Sequence, residues 1–290
     1  MSLRSAVLAL LSVVSVCPAA FAAEPAEELR TISSARAVGM GNAYRALGQG
    51  TEALQGNPAA MALFPAYRVE ATGSWDTHTK DGYLGIGLMD SSTSKLALGV
   101  DYHWVSLRGA GSRASAHLSS LGAAVPLTQG VMVGVIGRYL RLSGQDRYAN
   151  STTLDVGALL RLSEAIVVGF SAHNLIDTHN AELTRYYSGH LGILAGTVTA
   201  AFDVRGDFTT RESSVFTYNG GLEYVLDQVI PLRAGYTYDG FSRSSKLGLG
   251  LGFMSPGGGG IDLGYQHEFG GAKGRLLILT FRLNVGGGGG

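Results

Sequence analysis

From Tyr67 onward the chain alternates apolar residues with small or polar ones, the period of two that marks β-strands. The pattern is plainest toward the C-terminus. Leu247, Leu249, Leu251 and Phe253 fall on one face, opposite Lys246, Gly248, Gly250 and Gly252. Ile261, Leu263, Tyr265 and Phe269 likewise oppose Asp262, Gly264, Gln266 and Glu268, and Phe216, Tyr218, Leu222 and Tyr224 oppose Thr217, Asn219, Gly221 and Glu223. Earlier, Leu96, Leu98, Val100, Tyr102 and Trp104 oppose Lys95, Gly99, Asp101 and His103. Residues 115–125 read most weakly, being mostly Ala, Ser and Gly. The pattern predicts about fourteen strands of about 9–11 residues, long enough to cross a bilayer at a tilt. They begin near Tyr67, Tyr83, Lys95, Ser115, Val131, Thr153, Ala165, Tyr187, Thr197, Val215, Val229, Lys246, Gly260 and Arg275.

Such alternation fits a soluble sandwich with its apolar face inward, or a transmembrane barrel with its apolar face on lipid. Three features select the barrel. The segments have the crossing length, and aromatics recur near their ends, at Trp75, Tyr102, Trp104, Tyr139, Tyr236, Tyr238, Phe253 and Phe269. The opposite faces carry Gly and isolated charges of both signs, which suits a lumen better than a water-facing surface. An even strand number also closes the sheet and leaves no edge. The expected fold class is therefore all-β, a transmembrane antiparallel β-barrel. Long polar links follow the odd-numbered segments and tight ones follow several even-numbered segments, such as Thr128-Gln129-Gly130 and Ser163-Glu164. Short periplasmic turns and longer outer loops are usual, which places both termini in the periplasm.

Composition agrees. The chain has 290 residues, only 15% of them charged, with 43 Gly, one Cys and no net charge. That balance gives no electrostatic footprint for nucleic acid, and a lone Cys excludes a disulfide scaffold. Residues 1–22 read as a Sec-type signal peptide: Arg4, an apolar run over 6–16, then Ala20-Phe21-Ala22 as the cleavage site. Cys17 falls within it. The expected location is the outer membrane of a Gram-negative cell, with outer-membrane lipid as a partner.

Residues 23–66 lack strand alternation, and residues 67–285 are assigned to the barrel, with a glycine tail at 286–290. Asn57 is placed to cap a short helix whose first residue is Pro58, where a missing N–H costs nothing. The run SARAVGMGNAYRAL, followed by ALQGNPAAMA, resembles the N-terminal signature of the FadL-type outer-membrane transporters and their PorV/PorQ-like relatives. The matching residues are Gly39, Met40, Gly41, Asn42 and Ala43, then Asn57, Pro58 and Ala59. The resemblance implies a fourteen-stranded barrel whose N-terminal segment enters the lumen as a hatch. It also implies uptake or passage of a hydrophobic small molecule. The alternative, implied by the PorV-type relatives, is a non-transport barrel that docks or assembles exported surface proteins. The chain departs from the family in its small outer loops and its glycine tail.

The inward positions predicted by the alternation carry Arg68, Glu70, Lys95, Asp101, Arg138, Asp155, Arg161, Asp203, Glu223, Arg233, Asp262, Glu268 and Arg282. Cross-strand charge compensation is their expected role, with hatch binding the functional alternative. The seven His show no metal-ligand spacing. No G-x-S-x-G elbow is present. Neither an enzyme activity nor a cofactor is expected.

Overall fold

The computed structural model describes residues 32–107, 114–144, 148–176, 183–209, 213–270 and 273–285. The signal peptide with its cleavage near Ala22, residues 23–31 and the glycine tail lie outside the described residues. Fourteen strands follow one another in order. The first seven are β1 (Tyr67–Asp76), β2 (Gly82–Asp90), β3 (Ala97–Leu107), β4 (Ala114–Pro126), β5 (Val131–Gly144), β6 (Tyr148–Arg161) and β7 (Ile166–His173). The others are β8 (Tyr186–Ala195), β9 (Val198–Asp207), β10 (Val215–Leu226), β11 (Ile230–Asp239), β12 (Ser244–Met254), β13 (Gly259–Phe269) and β14 (Arg275–Asn284). Each pairs antiparallel with its sequence neighbours, and β1 pairs with β14 to close the barrel. Closure leaves no unpaired strand edge, the condition a sheet must meet in hydrocarbon.

The polarity is inside out. Leu249, Leu251, Phe253, Leu263, Phe281 and Leu222 are among the exposed large apolar residues of the outer wall. Asp155, Asp203, Asp262, Arg233 and Glu223 are buried inside. The register puts several opposite charges directly across from one another on the inner wall: Glu70 faces Arg282, Glu223 faces Arg233, and Lys246 faces Glu268. An apolar cluster does exist within the barrel, where Met89, Met132, Ile136, Leu159 and Val167 of the wall meet Leu47, Leu54 and Met61 of the N-terminal segment.

Thirteen strand starts fall within two residues of those expected, counting Lys95 against Ala97, and β1, β5, β10 and β14 coincide. The weak stretch at 115–125 is a full strand. Its inward residues Ala116, Leu118, Ser120 and Ala124 are buried, while its outward face carries Ser115, His117 and Ser119, which blurs the alternation. The largest correction is at β6, which starts at Tyr148 rather than Thr153, with β5 running on to Gly144. Ser143 pairs with Tyr148 there. Backbone hydrogen bonds continue the ladder past the apolar pattern, because beyond the hydrocarbon no side-chain alternation is required.

Mid-strand on β12, Leu249 points outward and is 47% exposed. Leu249→Arg is expected to destabilise the barrel by about 2–4 kcal/mol, the cost of an arginine near the bilayer midplane. Urea unfolding in lipid vesicles measures it, and an unchanged midpoint would invert the assignment of faces.

Candidate functional site

The site is the N-terminal segment and the wall it touches. Residues 32–66 form a short helix α1 (Ala35–Gly39), a single turn α2 (Glu52–Gln55) and a 3-10 turn, Pro58–Ala62. Ser34 caps α1, its Oγ accepting from the Ala37 N–H at 3.0 Å. The helix ends where Gly41 turns to φ 60°, a conformation that suits glycine. Asn57 caps the 3-10 turn as the sequence predicts, its Oδ1 accepting from Ala59 N–H at 3.0 Å, with Pro58 in the first position. Short elements of this kind are not stable alone. Tertiary packing holds them: Ala35, Val38, Met40, Leu47, Leu54 and Met61 are each at most 1% exposed.

The segment touches opposite sides of the barrel. α1 packs on β11 to β14, and the 3-10 turn packs on β3 to β6. Glycine faces glycine where Met40 and Gly41 meet β10 to β12. A Cβ on Gly221 would lie 2.2 Å from Met40 O, one on Gly235 2.2 Å from Gly41 N, and one on Gly248 2.1 Å from Val38 O. Thr237 Oγ1 donates to Gly41 O at 2.7 Å. At the other motif the Asn57 amide donates to Ala158 O at 3.2 Å and to Phe170 O at 3.4 Å, bridging β6 and β7. Gly157 leaves room for it, since a Cβ there would sit 2.0 Å from Asn57 Oδ1. The Gly-Met-Gly and Asn-Pro-Ala stretches are thus two places where backbone of the segment meets backbone of the wall.

Ion pairs join the rest. Arg36 on α1 bonds Glu52 at 3.0 Å and Glu223 on β10 at 3.2 Å. Glu223 also accepts from Arg233 at 2.5 Å; Arg233 reaches Asp262 at 2.6 Å, and Asp262 pairs with Arg282 at 2.9 Å. Burial opposes the charge on Arg36, yet Glu223 and Glu52 hold its pKa above the ordinary guanidinium range. On the other side Arg138 bonds Asp155 at 2.6 Å and Gln55 Oε1 at 3.0 Å, and donates to Leu54 O. A third anchor is Asp203 on β9. Its Oδ2 accepts from the Tyr44 and Arg45 N–H groups at 3.0 and 3.1 Å, and from the Arg45 guanidinium at 3.4 Å. Burial pushes the Tyr44 phenol up to about 12.

Among the charges expected inward, Glu70, Asp101, Arg138, Asp155, Asp203, Glu223, Arg233, Asp262 and Glu268 are buried; Arg68 and Arg282 are partly so. Asp101 bonds the Gln55 amide, and Glu268 accepts from Gly274 N–H at 3.0 Å. Two do not fit. Lys95 is exposed in the turn before β3, because Asp90 and Ser94 side chains bind the N–H groups of Ser92, Thr93 and Leu96 and delay the strand. Arg161 is exposed at the rim, where β6 ends, and its guanidinium donates to Leu63 O at 3.3 Å. Met40, Gly41, Asn57, Pro58 and Ala59 lie in the contacts described above; a Cβ on Gly39 would sit 2.9 Å from Gly250 Cα on β12, and Asn42 accepts from Ser33 Oγ at 3.3 Å and, through its carbonyl, from Arg45 at 3.2 Å.

Sequence reading missed one cluster. Ser171 and His173 on β7, His190 on β8, Asp155 on β6 and Asp203 on β9 converge in the wall. The available signal was Ser171-x-His173, two inward positions on one strand. Beside this cluster and the segment lie two small cavities of about 40 Å³ each. One is walled by Arg45, Thr217, Thr237 and Lys246, the other by Leu118, Leu183, His173 and Tyr186.

No protein-family model and no curated protein matches the chain. Solved structures match its fold closely despite low identity. The toluene transporter TbuX of Ralstonia pickettii superposes with a TM-score of 0.67 at 11% identity, over 89% of this chain and 100% of that one. A FadL homologue of Pseudomonas aeruginosa gives 0.68 at 11%, over 87% and 98%. The Pseudomonas putida toluene transporter TodX gives 0.61 at 12%, over 91% and 98%. The chain therefore has the FadL-type outer-membrane barrel fold.

Proposed function

We propose that the chain is an outer-membrane channel for a small, largely hydrophobic molecule, with the N-terminal segment as its hatch. The observation that carries this reading is the way residues 32–66 meet both sides of a closed barrel through non-covalent contacts alone. Its fold is that of proteins described as toluene transporters. In this reading residues 1–22 direct export, residues 23–66 form the hatch and residues 67–285 the barrel. The two N-terminal motifs seat the hatch, and the inner-wall charges hold it closed. Both termini face the periplasm. A barrel of this size needs such filling, since about 8 strands are already filled by their own side chains.

Deleting residues 34–62 is expected to leave an inserted barrel with raised conductance in planar bilayers. Cells making the intact protein should take up a monoaromatic hydrocarbon faster than cells lacking it. Unchanged conductance after the deletion would remove the hatch.

One observation favours the second reading, a closed barrel that docks exported proteins. The described interior is crossed by ion pairs, and the two cavities beside the segment are small, about 40 Å³ each. That reading predicts no acceleration of hydrocarbon uptake and co-purification of a secreted protein with the intact barrel.

A further inference from the structure

The cluster on β6 to β9 is short of one proton. Ser171 Oγ lies 2.8 Å from His173 Nε2 and 2.9 Å from His190 Nε2. A hydroxyl has one hydrogen, so it donates to one imidazole and must accept from the other. His173 Nδ1 is hydrogen-bonded to Asp155 Oδ2 at 2.9 Å, so its ring hydrogen sits there and its Nε2 accepts from Ser171. His190 must then carry its hydrogen on Nε2. That leaves His190 Nδ1 bare, 3.3 Å from Asp203 Oδ1, and neither atom makes a hydrogen bond. The two atoms approach without a hydrogen bond at a histidine that is 6% exposed and a carboxylate that is fully buried. Burying polar atoms this way is costly.

Ser171, His173 and Asp155 have the hydrogen-bond order of a nucleophile, base and orienting acid. Ser171 is fully buried and its oxygen is held between two rings, which leaves a substrate no approach. The cluster therefore serves something other than nucleophilic attack.

We infer that His190 Nδ1 is a proton-binding site whose occupation competes with the N-terminal segment for Asp203. One added proton turns this close approach into an imidazolium–carboxylate pair. Asp203 is also the anchor for Tyr44 and Arg45 of the segment. The groups facing His190 are Asp203 from β9, Arg45 from the segment and His173 from β7 through Ser171, with Asp155 and Arg138 behind His173. Imidazolium at His190 draws Asp203 toward β8 through Oδ1, away from the Tyr44 and Arg45 groups on Oδ2, of which the Arg45 guanidinium is the most distant at 3.4 Å. Arg45 gives way, and the Tyr44–Arg45 turn loosens as the pH falls. This deepens the hatch reading and rests on it for its functional meaning, though not for its chemistry.

A nitroxide placed by Gln49→Cys, a partly exposed residue four positions after Arg45, reports the motion without titrating itself. In the mature protein its spectrum should gain a mobile component between about pH 7.5 and about pH 4.5, where an imidazole changes charge. His190→Gln should abolish that change, and Asp203→Asn should abolish it too while keeping an oxygen for the two amides. If His190→Gln does not fold, NMR of ring-labelled histidine in the parent gives a second reading: His190 must titrate in that span. A spectrum constant over the span, a change that survives His190→Gln, or a His190 that does not titrate overturns the inference. Mobility that responds to pH without a matching change in conductance supports the proton site and sinks the hatch reading instead.

Discussion

Arg36→Met is expected to release the N-terminal segment from β10 while leaving the strands paired. Arg36 is 3% exposed and lies between Glu52 and Glu223, at 3.0 and 3.2 Å. Methionine keeps much of the volume and removes the charge, so two buried carboxylates lose a shared partner. Breaking a buried pair by removing one member costs about 3–5 kcal/mol, because the other charge stays behind. Glu223 retains Arg233, so the larger burden falls on Glu52, whose other contacts are the Ser34 hydroxyl and the Gln49 N–H. The loss should appear as protease cleavage within residues 34–62 of the membrane-inserted protein, at concentrations that spare the parent. Adding Glu52→Gln removes the orphaned charge, so the double variant should resist cleavage better than Arg36→Met alone. Equal cleavage in parent and Arg36→Met would mean that the ion pairs do not hold the segment.

Gly235→Leu should have an effect of similar size by a steric route. Its Cβ would lie 2.2 Å from both Gly41 N and Met40 C, and these are backbone atoms that cannot rotate away. Overpacking a core costs about 1–3 kcal/mol when neighbouring side chains adjust. Here the neighbour is a main chain with φ 60° at Gly41, so the segment must leave the wall. Gly137→Leu is the matched control: it lies on β5 facing outward, with nothing within 4 Å of its Cβ. The first variant should raise conductance in planar bilayers and the second should not. Equal conductance in both would show that the glycine-lined contact is dispensable.

The barrel was legible because two solvents meet at its wall. Lipid favours apolar side chains on most outward positions, and the lumen accepts glycine and charge on many inward ones. A one-residue slip would exchange those sets. Leu249 outside and Gly250 inside could therefore be assigned from the period alone, as could the cap at Asn57 from a polar residue before proline. Lys95 shows where the rule stops: parity places it inward, but the Asp90 and Ser94 side chains fix a turn that the strand pattern does not encode. The late start assigned to β6 has the opposite cause, a ladder that continues where alternation has ceased to matter.

What the alternation determined by itself is the face of most strand residues, since that depends only on near neighbours and the surrounding solvent; the number of about fourteen strands rests on it together with the family resemblance. Which inward groups meet was decided by tertiary structure alone. Arg36 and Glu223 are 187 residues apart, and every buried acid on the inner wall is an equivalent partner as far as parity can tell. Only closure of β1 on β14 and the register of each hairpin choose among them. The same closure brings Asp155, His173, Ser171, His190 and Asp203 from four successive strands into one line of hydrogen bonds and close approaches. Their protons are counted by distances of about 3 Å, which a sequence does not contain.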